Sequence, residues 1–290
     1  MRTEIWCSMS RSKLLEENLE LFQCPNDSSP LEYDPHDSLS CPKCRSVFPI
    51  HAPNFVELVP RTQFSPAKAA TNEHEKSFFD GYRRLFGERF SFRPEAMAWG
   101  SEERIGARNS GRKRKEVEQI VSAVNAAGRI VCDISGGAGW FTSTLAPEAK
   151  LIVHCDLSCD NLNYAHNKFK NGNILFVRMD FFSPPFRDNS FDITVCTDTL
   201  IYGDLMVSAL LSSIYRSLRA GGSGVVDFYN RKHRNPFHRP YMIGYTRGEV
   251  ESILRQLGIP IRSFDGFFQD WEGSLRWIIP PTRHIVTISK

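Results

Sequence analysis

No run of about twenty consecutive apolar residues occurs anywhere in the 290-residue chain, which argues against a membrane-spanning helix. Met1–Ser10 lacks the apolar centre that a secretory signal needs. Nor is there a strong excess of either charge: 36 Lys and Arg stand against 33 Asp and Glu, a net charge of +3. A chain so nearly balanced permits an acidic partner without demanding one. Cysteine forms no disulfide framework either. The eight are scattered, and at least three fall in expected strands, which suits reduced thiols and a cytoplasmic setting. At 41% hydrophobic and 24% charged, the chain has the composition of a globular protein with one large domain and something smaller.

Four regions separate along the chain. Residues 11–19 read as a short polar helix, and 20–60, rich in Pro, Cys and Asp, as a small β-rich knob. Residues 61–115 are charged and aromatic. Phe78, Phe79, Tyr82, Leu85 and Phe86 form a stripe at helical spacing, expected to pack on the main domain, with a lid over the site as the sharper alternative. From residue 116 to 290 strand and helix patterns alternate. Val117, Ile120, Val121 and Val124 mark a helix, and strands are expected at 129–134, 151–156, 174–179, 191–196, 224–229 and 284–289. Helices are expected at about 158–170, from Asp204 to a stop at Gly221–Gly222, and at 246–256. This order predicts an α/β fold with a doubly wound, Rossmann-like, mostly parallel seven-stranded sheet, six of whose strands are placed by the pattern.

The richest segment is Val131-Cys-Asp-Ile-Ser-Gly-Gly-Ala-Gly-Trp-Phe-Thr142, an apolar strand ending near Asp133, a glycine turn, then a helix start. Glycines at 137 and 139 let backbone approach a ligand with no Cβ in the way. Asp156 closes the next strand with Leu157 beside it, where a carboxylate can accept from two ribose hydroxyls. Asp180 follows the third strand and can accept from an exocyclic amine; Phe181 offers a backbone N–H and an apolar wall. Taken singly, an Asp after a strand is more often a cap or a turn residue. The information lies in their shared order. A dinucleotide site is the first competitor, but its third small residue would fall on Thr142, a poor fit.

Asp133–Gly139, Asp156, the stretch Asp180-Phe-Phe-Ser-Pro-Pro-Phe-Arg-Asp-Asn-Ser-Phe-Asp192 and Leu218-Arg-Ala-Gly-Gly222 together resemble the successive motifs of class I S-adenosylmethionine-dependent methyltransferases, over roughly residues 116–290. The resemblance implies that Asp133, Ser135, Gly137 and Gly139 flank the methionine moiety and Asp156 with Leu157 holds the ribose. Asp180 and Phe181 would hold the adenine, and Thr197 and its neighbours would face the methyl group. Two departures stand out: Ser135 replaces the first glycine of that family's loop, and Gly136 replaces a larger residue.

In the knob, Cys24-Pro-Asn-Asp27 and Cys41-Pro-Lys-Cys44 form two knuckle-like turns. The second matches half a zinc ribbon; the first has Asp27 where a fourth cysteine belongs. Cys24, Asp27, Cys41 and Cys44 are therefore the candidate zinc ligands, with His36 as a substitute, or a metal-free knob held by its own small core as the alternative. The segment resembles the zinc-binding module of the tRNA-methyltransferase activator family and, more distantly, the zinc element of certain 23S rRNA guanine-N1 methyltransferases. Such modules are structural or substrate-guiding.

Methyl transfer needs alignment above all, and a base only when the acceptor is protonated. Asp198, Tyr202 and His238 are the candidates near the expected methyl; Asp204 reads more simply as an N-cap. Two basic clusters, Arg112–Lys115 and Arg231–Arg239, suit phosphates, though such runs more often face solvent. The expected activity is methyl transfer to an oxygen or nitrogen of a small-molecule acceptor. An rRNA or tRNA base is the alternative substrate, and a non-catalytic binding module with a degenerate loop is the third reading.

Overall fold

The computed structural model describes residues 13–34, 38–60, 107–157, 159–180, 183–200, 204–233, 243–268 and 280–290. The aromatic stripe at 78–86, together with His36, Phe181, Tyr202 and His238, lies outside the described residues.

The described residues begin with a single helical turn, α1 (Lys13–Glu16), and a 3-10 turn at Leu19–Leu21, where one continuous helix to residue 19 was expected. Four short strands follow: β1 (Glu32–Asp34), β2 (Ser38–Ser40), β3 (Val47–Ala52) and β4 (Phe55–Leu58). After α2 (Ala107–Ser122) the chain alternates β5 (Ile130–Ile134), α3 (Trp140–Leu145), β6 (Leu151–Asp156), α4 (Cys159–Lys168) and β7 (Ile174–Met179). It continues through β8 (Phe191–Cys196), α5 (Asp204–Ser217), β9 (Leu218–Tyr229) and α6 (Arg247–Gln256). It ends on β10 (Ile261–Phe267) and β11 (Arg283–Ser289).

Strands β7-β6-β5-β8-β9-β11-β10 form the expected doubly wound sheet, and β4, β3, β2 and β1 extend it beyond β7 to eleven strands among the described residues. Strands β4 through β9 pair in parallel, and β11 and β10 run antiparallel. The chain leaves β5 toward β6 and later returns to β8 on the other side, so the switch point lies beside β5. Alternation within the strands sorts the core into two layers. Ile130, Cys132 and Ile134 face one layer with α5, α6 and the N-terminal segment, whereas Val131 faces the other with α2, α3 and α4.

Two further elements differ from the sequence expectation. Helix α5 stops at Ser217, ahead of the glycine pair, because Leu218–Gly222 already belongs to β9, with Gly221 at φ +77°. Strand β10 was not expected, since Ile261-Arg-Ser-Phe-Asp-Gly-Phe267 is mostly half-exposed and carries little apolar alternation. Helix α6 begins where expected: Thr246 caps it, accepting from the Glu249 N–H while the Glu249 carboxylate accepts from the Thr246 N–H.

The knob joins the large sheet by matched pairing. Phe55 lies opposite Phe176, Val56 opposite Val177, Leu58 opposite Met179, and Glu57 opposite Arg178, with Arg178 Nη1 3.1 Å from the Glu57 carboxylate. Apolar residues meet apolar ones and charge meets opposite charge, so a one-residue slip would misplace all four. Beside this seam, His166 Nε2 lies 3.1 Å from Asn54 Oδ1, and Asn54 Nδ2 donates to the Ile174 carbonyl. Burial, aided by Lys170, holds His166 below its ordinary value of 6.5. Burial works against the Glu57 carboxylate, but His51 and Arg178 outweigh it and hold the group below 4.5. Each group takes up protons more readily once unfolded, so each favours the folded state above its ordinary value and loses that contribution as pH falls. Thermal melting between pH 7 and 4 is thus expected to show a first loss starting near 6.5, from His166 and the more deeply buried His284, and a second below 4.5. His166→Gln should shrink the first stage; an unchanged profile in that variant removes the assignment.

Candidate functional site

Because β5, β6, β7 and β8 are parallel neighbours, their carboxyl ends share one edge of the sheet. Register sets the heights. Asp133 pairs with His154, Ile134 with both Cys155 and Cys196, and Asp156 with Arg178. Asp133, Asp156 and Asp180 therefore stand at the ends of three adjacent strands, with Thr197 and Asp198 at the end of β8 across the switch point.

The turn between β5 and α3 is held from below and from the side. Ser135 takes φ +56°, the left-handed conformation a glycine would adopt more cheaply, at a cost of about 1–2 kcal/mol. The Gly136 N–H donates to the Cys155 carbonyl and the Gly139 N–H to the Gly136 carbonyl, both at 2.9 Å. Asp156 Oδ2 accepts the Gly137 N–H at 2.8 Å, tying the second acid to the loop. A carboxylate offers about four lone-pair directions, so this bond does not exhaust Asp156. Gly137, at φ +55°, has open space where a Cβ would stand, whereas a Cβ on Gly139 would strike the Phe169 ring at 2.3 Å. The open face of Gly137 is where backbone can meet a ligand.

Asp133 is 2% exposed, and its Oδ2 accepts from both the Thr142 N–H at 3.1 Å and the Thr142 hydroxyl at 2.7 Å. Thr142, a poor third residue for a dinucleotide turn, is thus the hydroxyl that joins the acid to the helix start. Asp180 is 4% exposed, and its carbonyl accepts the Ser183 N–H. The Leu157 carbonyl accepts from Arg178 Nε at 3.1 Å. Thr197 is buried and its carbonyl accepts from the Thr199 hydroxyl.

Asp198, at φ +57°, donates its N–H to Asp227 Oδ1 at 2.8 Å. Its carboxylate, with those of Asp227 and Glu116, pairs with the Arg283 guanidinium. Arg283 Nη2 also donates to the Tyr229 hydroxyl at 2.8 Å, and the guanidinium carbon lies 4.3 Å from that ring's centre. Burial pushes the Tyr229 hydroxyl up to about 12. Burial alone would lower Arg283, but Asp198, Glu116 and Asp227 keep it firmly protonated. This hub joins α2, β8, β9 and β11.

Of the hub only Asp198 was singled out from sequence; Glu116, Asp227, Arg283 and His154 were not. The signal existed: Asp227 sits in Gly-Val-Val-Asp-Phe-Tyr and His154 in Leu-Ile-Val-His-Cys, polar residues inside apolar strands that must be paired when buried. What the sequence does not reveal is the partner, since Glu116, Asp198, Asp227 and Arg283 are far apart along the chain.

In the knob the two knuckles repeat one geometry. Ser28 N–H donates to the Cys24 carbonyl and Arg45 N–H to the Cys41 carbonyl, each at 2.9 Å. Ser28 at φ +60° and Arg45 at φ +57° occupy equivalent positions. Asp27 in the first knuckle therefore stands where Cys44 stands in the second. Ligand atoms of Cys24, Asp27, Cys41 and Cys44 all lie within 4.8 Å of one another. Cys24 and Cys44 Sγ are 3.5 Å apart, as are Cys41 Sγ and Asp27 Oδ1. A tetrahedral zinc site with Zn–S of about 2.3 Å has ligand–ligand edges of about 3.5–3.8 Å. The set therefore fits zinc. Burial pushes the Cys24 thiol up to about 12, while the Ser46 hydroxyl brings the exposed Cys44 thiol down to about 7.

Residues 132–226 match the family described as a methyltransferase domain. That methyltransferase domain runs from β5 into β9 and so contains the glycine turn, all three acids and the β8 end. The ubiquinone/menaquinone biosynthesis C-methyltransferase UbiE of Pseudoalteromonas translucida is 30% identical over 134 residues, covering 43% of this chain and 52% of that protein. The chain thus spans about half the length of the curated relatives it matches. Among solved structures, magnesium protoporphyrin IX methyltransferase (ChlM) from Synechocystis PCC 6803 with bound SAM superposes with a TM-score of 0.51 at 18% identity, covering 80% of this chain and 100% of that one. A methyltransferase solved in complex with the Haloferax volcanii Trm112 methyltransferase activator superposes with a TM-score of 0.55 at 18% identity, covering 69% of this chain and 99% of its own. The fold is that of the S-adenosylmethionine-dependent methyltransferases. Among the described residues no helix is long and apolar enough to cross a membrane.

Proposed function

We propose that this chain is an S-adenosylmethionine-dependent methyltransferase acting on a small-molecule acceptor. The observation that supports it best is the alignment of Asp133, Asp156 and Asp180 at the ends of β5, β6 and β7, beside a loop whose Gly137 N–H is held by Asp156. When bound, S-adenosylmethionine supplies a methyl group already activated on a sulfonium. The chain's own task is then to hold, align and exclude water. In this reading Asp156 and Leu157 bind the ribose, Asp180 and Phe181 the adenine. Asp133 and Ser135 brace the loop and Gly137 opens it to the methionine moiety, whereas Gly139, expected to do the same, instead makes room for the Phe169 ring. Thr197 closes the site toward the acceptor.

Of the three candidates for a base, Tyr202 and His238 lie outside the described residues. Asp198 remains, its side chain held by Arg283. That makes it suited to accept a hydrogen bond from an acceptor O–H or N–H and so orient the nucleophile. The curated relatives act on carbon, so product analysis must distinguish O-, N- and C-methylation. Arg231, in one of the two basic clusters, is committed to the Gly244 carbonyl and to Glu249, which favours a small acceptor over a phosphate backbone. In the knob, Cys24, Asp27, Cys41 and Cys44 would hold a structural zinc.

Calorimetry with S-adenosylmethionine tests the reading, and no heat at millimolar ligand refutes it. Asp156→Ala is expected to weaken binding by about 1.5–3 kcal/mol, the contribution of a hydrogen bond to a charged group, while the protein stays folded. Unchanged affinity in that variant would remove the ribose assignment.

A further inference from the structure

His154 lies on β6 with its side chain fully buried, one strand over from Asp133. Its Nδ1 is 2.7 Å from the Thr142 hydroxyl and 3.6 Å from Asp133 Oδ2. The Thr142 hydroxyl has one proton and gives it to Asp133, so toward His154 it can only accept. Nδ1 therefore carries the imidazole proton. Nε2 has no hydrogen-bond partner among the described residues, and the ring packs edge-on to Phe176 with centroids 5.5 Å apart. An imidazole with its Nδ1 proton turned toward Thr142 is wedged under the loop.

The same ring explains the loop's second departure. A Cβ on Gly136 would lie 2.5 Å from His154 Cε1, 2.6 Å from Nδ1 and 2.9 Å from Asp133 Oδ2. Gly137 and Gly139 have positive φ, but Gly136 does not, so its backbone does not demand glycine. The imidazole does.

Resting on the methyltransferase reading, we propose that His154 is a positioning residue for the cofactor site. It takes from below the space that a larger side chain at position 136 would fill from above, and through Thr142 it sets the Asp133 carboxylate and the loop. His154 and Gly136 are a matched pair, and Thr142 is the relay between ring and acid.

The test is a double-mutant cycle read by S-adenosylmethionine affinity, with thermal melting beside it. His154→Ala and Gly136→Ala should each weaken binding by about tenfold, the effect of one lost buried hydrogen bond or an equivalent displacement of the loop. In the His154→Ala background, where only the approach to Asp133 Oδ2 remains, Gly136→Ala should cost much less. Equal losses from Gly136→Ala in both backgrounds would overturn the proposal. If Gly136→Ala does not fold, His154→Asn and His154→Leu decide. Asn keeps a donor toward Thr142 and should bind more tightly than Leu, which keeps volume alone; equal affinities overturn the proposal. Wild-type protein that binds no S-adenosylmethionine overturns the functional reading and this one with it, whereas binding with additive losses overturns this one alone.

Discussion

Exchange of Arg283 for methionine is expected to lower the unfolding free energy by about 3–5 kcal/mol, the usual effect of removing one partner from a buried ion pair. The Arg283 side chain is 7% exposed, and the carboxylate-bearing side chains of Glu116 and Asp227 are 2% exposed each. Without the guanidinium, two buried acids and Asp198 face one another with their shared cation gone. At about 2 cal/mol/K of unfolding entropy per residue, that loss amounts to a drop of about 5–8 °C in the thermal midpoint. Arg283→Lys keeps the charge but cannot reach three carboxylates and the Tyr229 hydroxyl at once, so it should fall between the two. A midpoint within 1 °C of wild type for Arg283→Met would show that the hub contributes nothing to stability. Since Asp198 ends β8, methyl transfer should fall further than cofactor affinity in the same variant.

Strands β6, β7 and β8 were legible to the residue because each is a short apolar run closed by an acid or a turn. The glycine turn and the three acids were legible for the same reason: a strand's end is written locally. The seam between β4 and β7 was not. Phe55-Val-Glu-Leu58 reads as one more strand of the knob, and only the three-dimensional pairing shows that it runs parallel to the third strand of the sheet. Arg283 was missed for a related reason, its three acidic partners lying on three different elements. Local pattern reports which residues are buried and where a strand stops. It carries no information on which distant charge will meet them.

The seam also links the knob to the candidate site. Strand β7 would be the edge of the large sheet if β4 did not cover it, and Leu58 pairs with Met179, the residue before Asp180. Beyond Asp180 the chain is pinned to the knob again. The Gln23 N–H donates to the Pro185 carbonyl, Arg187 Nε to the Phe22 carbonyl, and the Ser190 hydroxyl to the Leu21 carbonyl. Phe22 packs against Phe186, and Phe186 against Phe191 at the start of β8. The N-terminal segment thus brackets the stretch that carries the expected adenine contact.

Loss of zinc should therefore be felt at both ends of that bracket. Purified protein is expected to carry about one zinc per chain, and Cys41→Ser to carry none after dialysis, because zinc held by a softened set of three ligands exchanges readily. Structural zinc in small finger peptides contributes on the order of 10–16 kcal/mol of apparent binding free energy. Leu21, Phe22, Leu39, Phe48 and Leu58 of the knob are fully buried, so the metal should add to a core already present and order the two knuckles above all. Leu21, Phe22, Cys24, Leu39, Cys41 and Phe48 belong to the same apolar layer as Val177, Met179 and Phe186. Release of the metal should accordingly lower the melting midpoint of the whole chain and weaken S-adenosylmethionine binding, though no ligand of the zinc touches the glycine loop. The repeated knuckle adds a sharper expectation. Asp27→Cys should tighten zinc binding by supplying the thiolate that the second knuckle has at Cys44, and Asp27→Ala should weaken it. Metal analysis showing no zinc in wild-type protein purified without chelator would leave the knob to its own core, and equal retention in Asp27→Cys and Asp27→Ala would take Asp27 out of the ligand set.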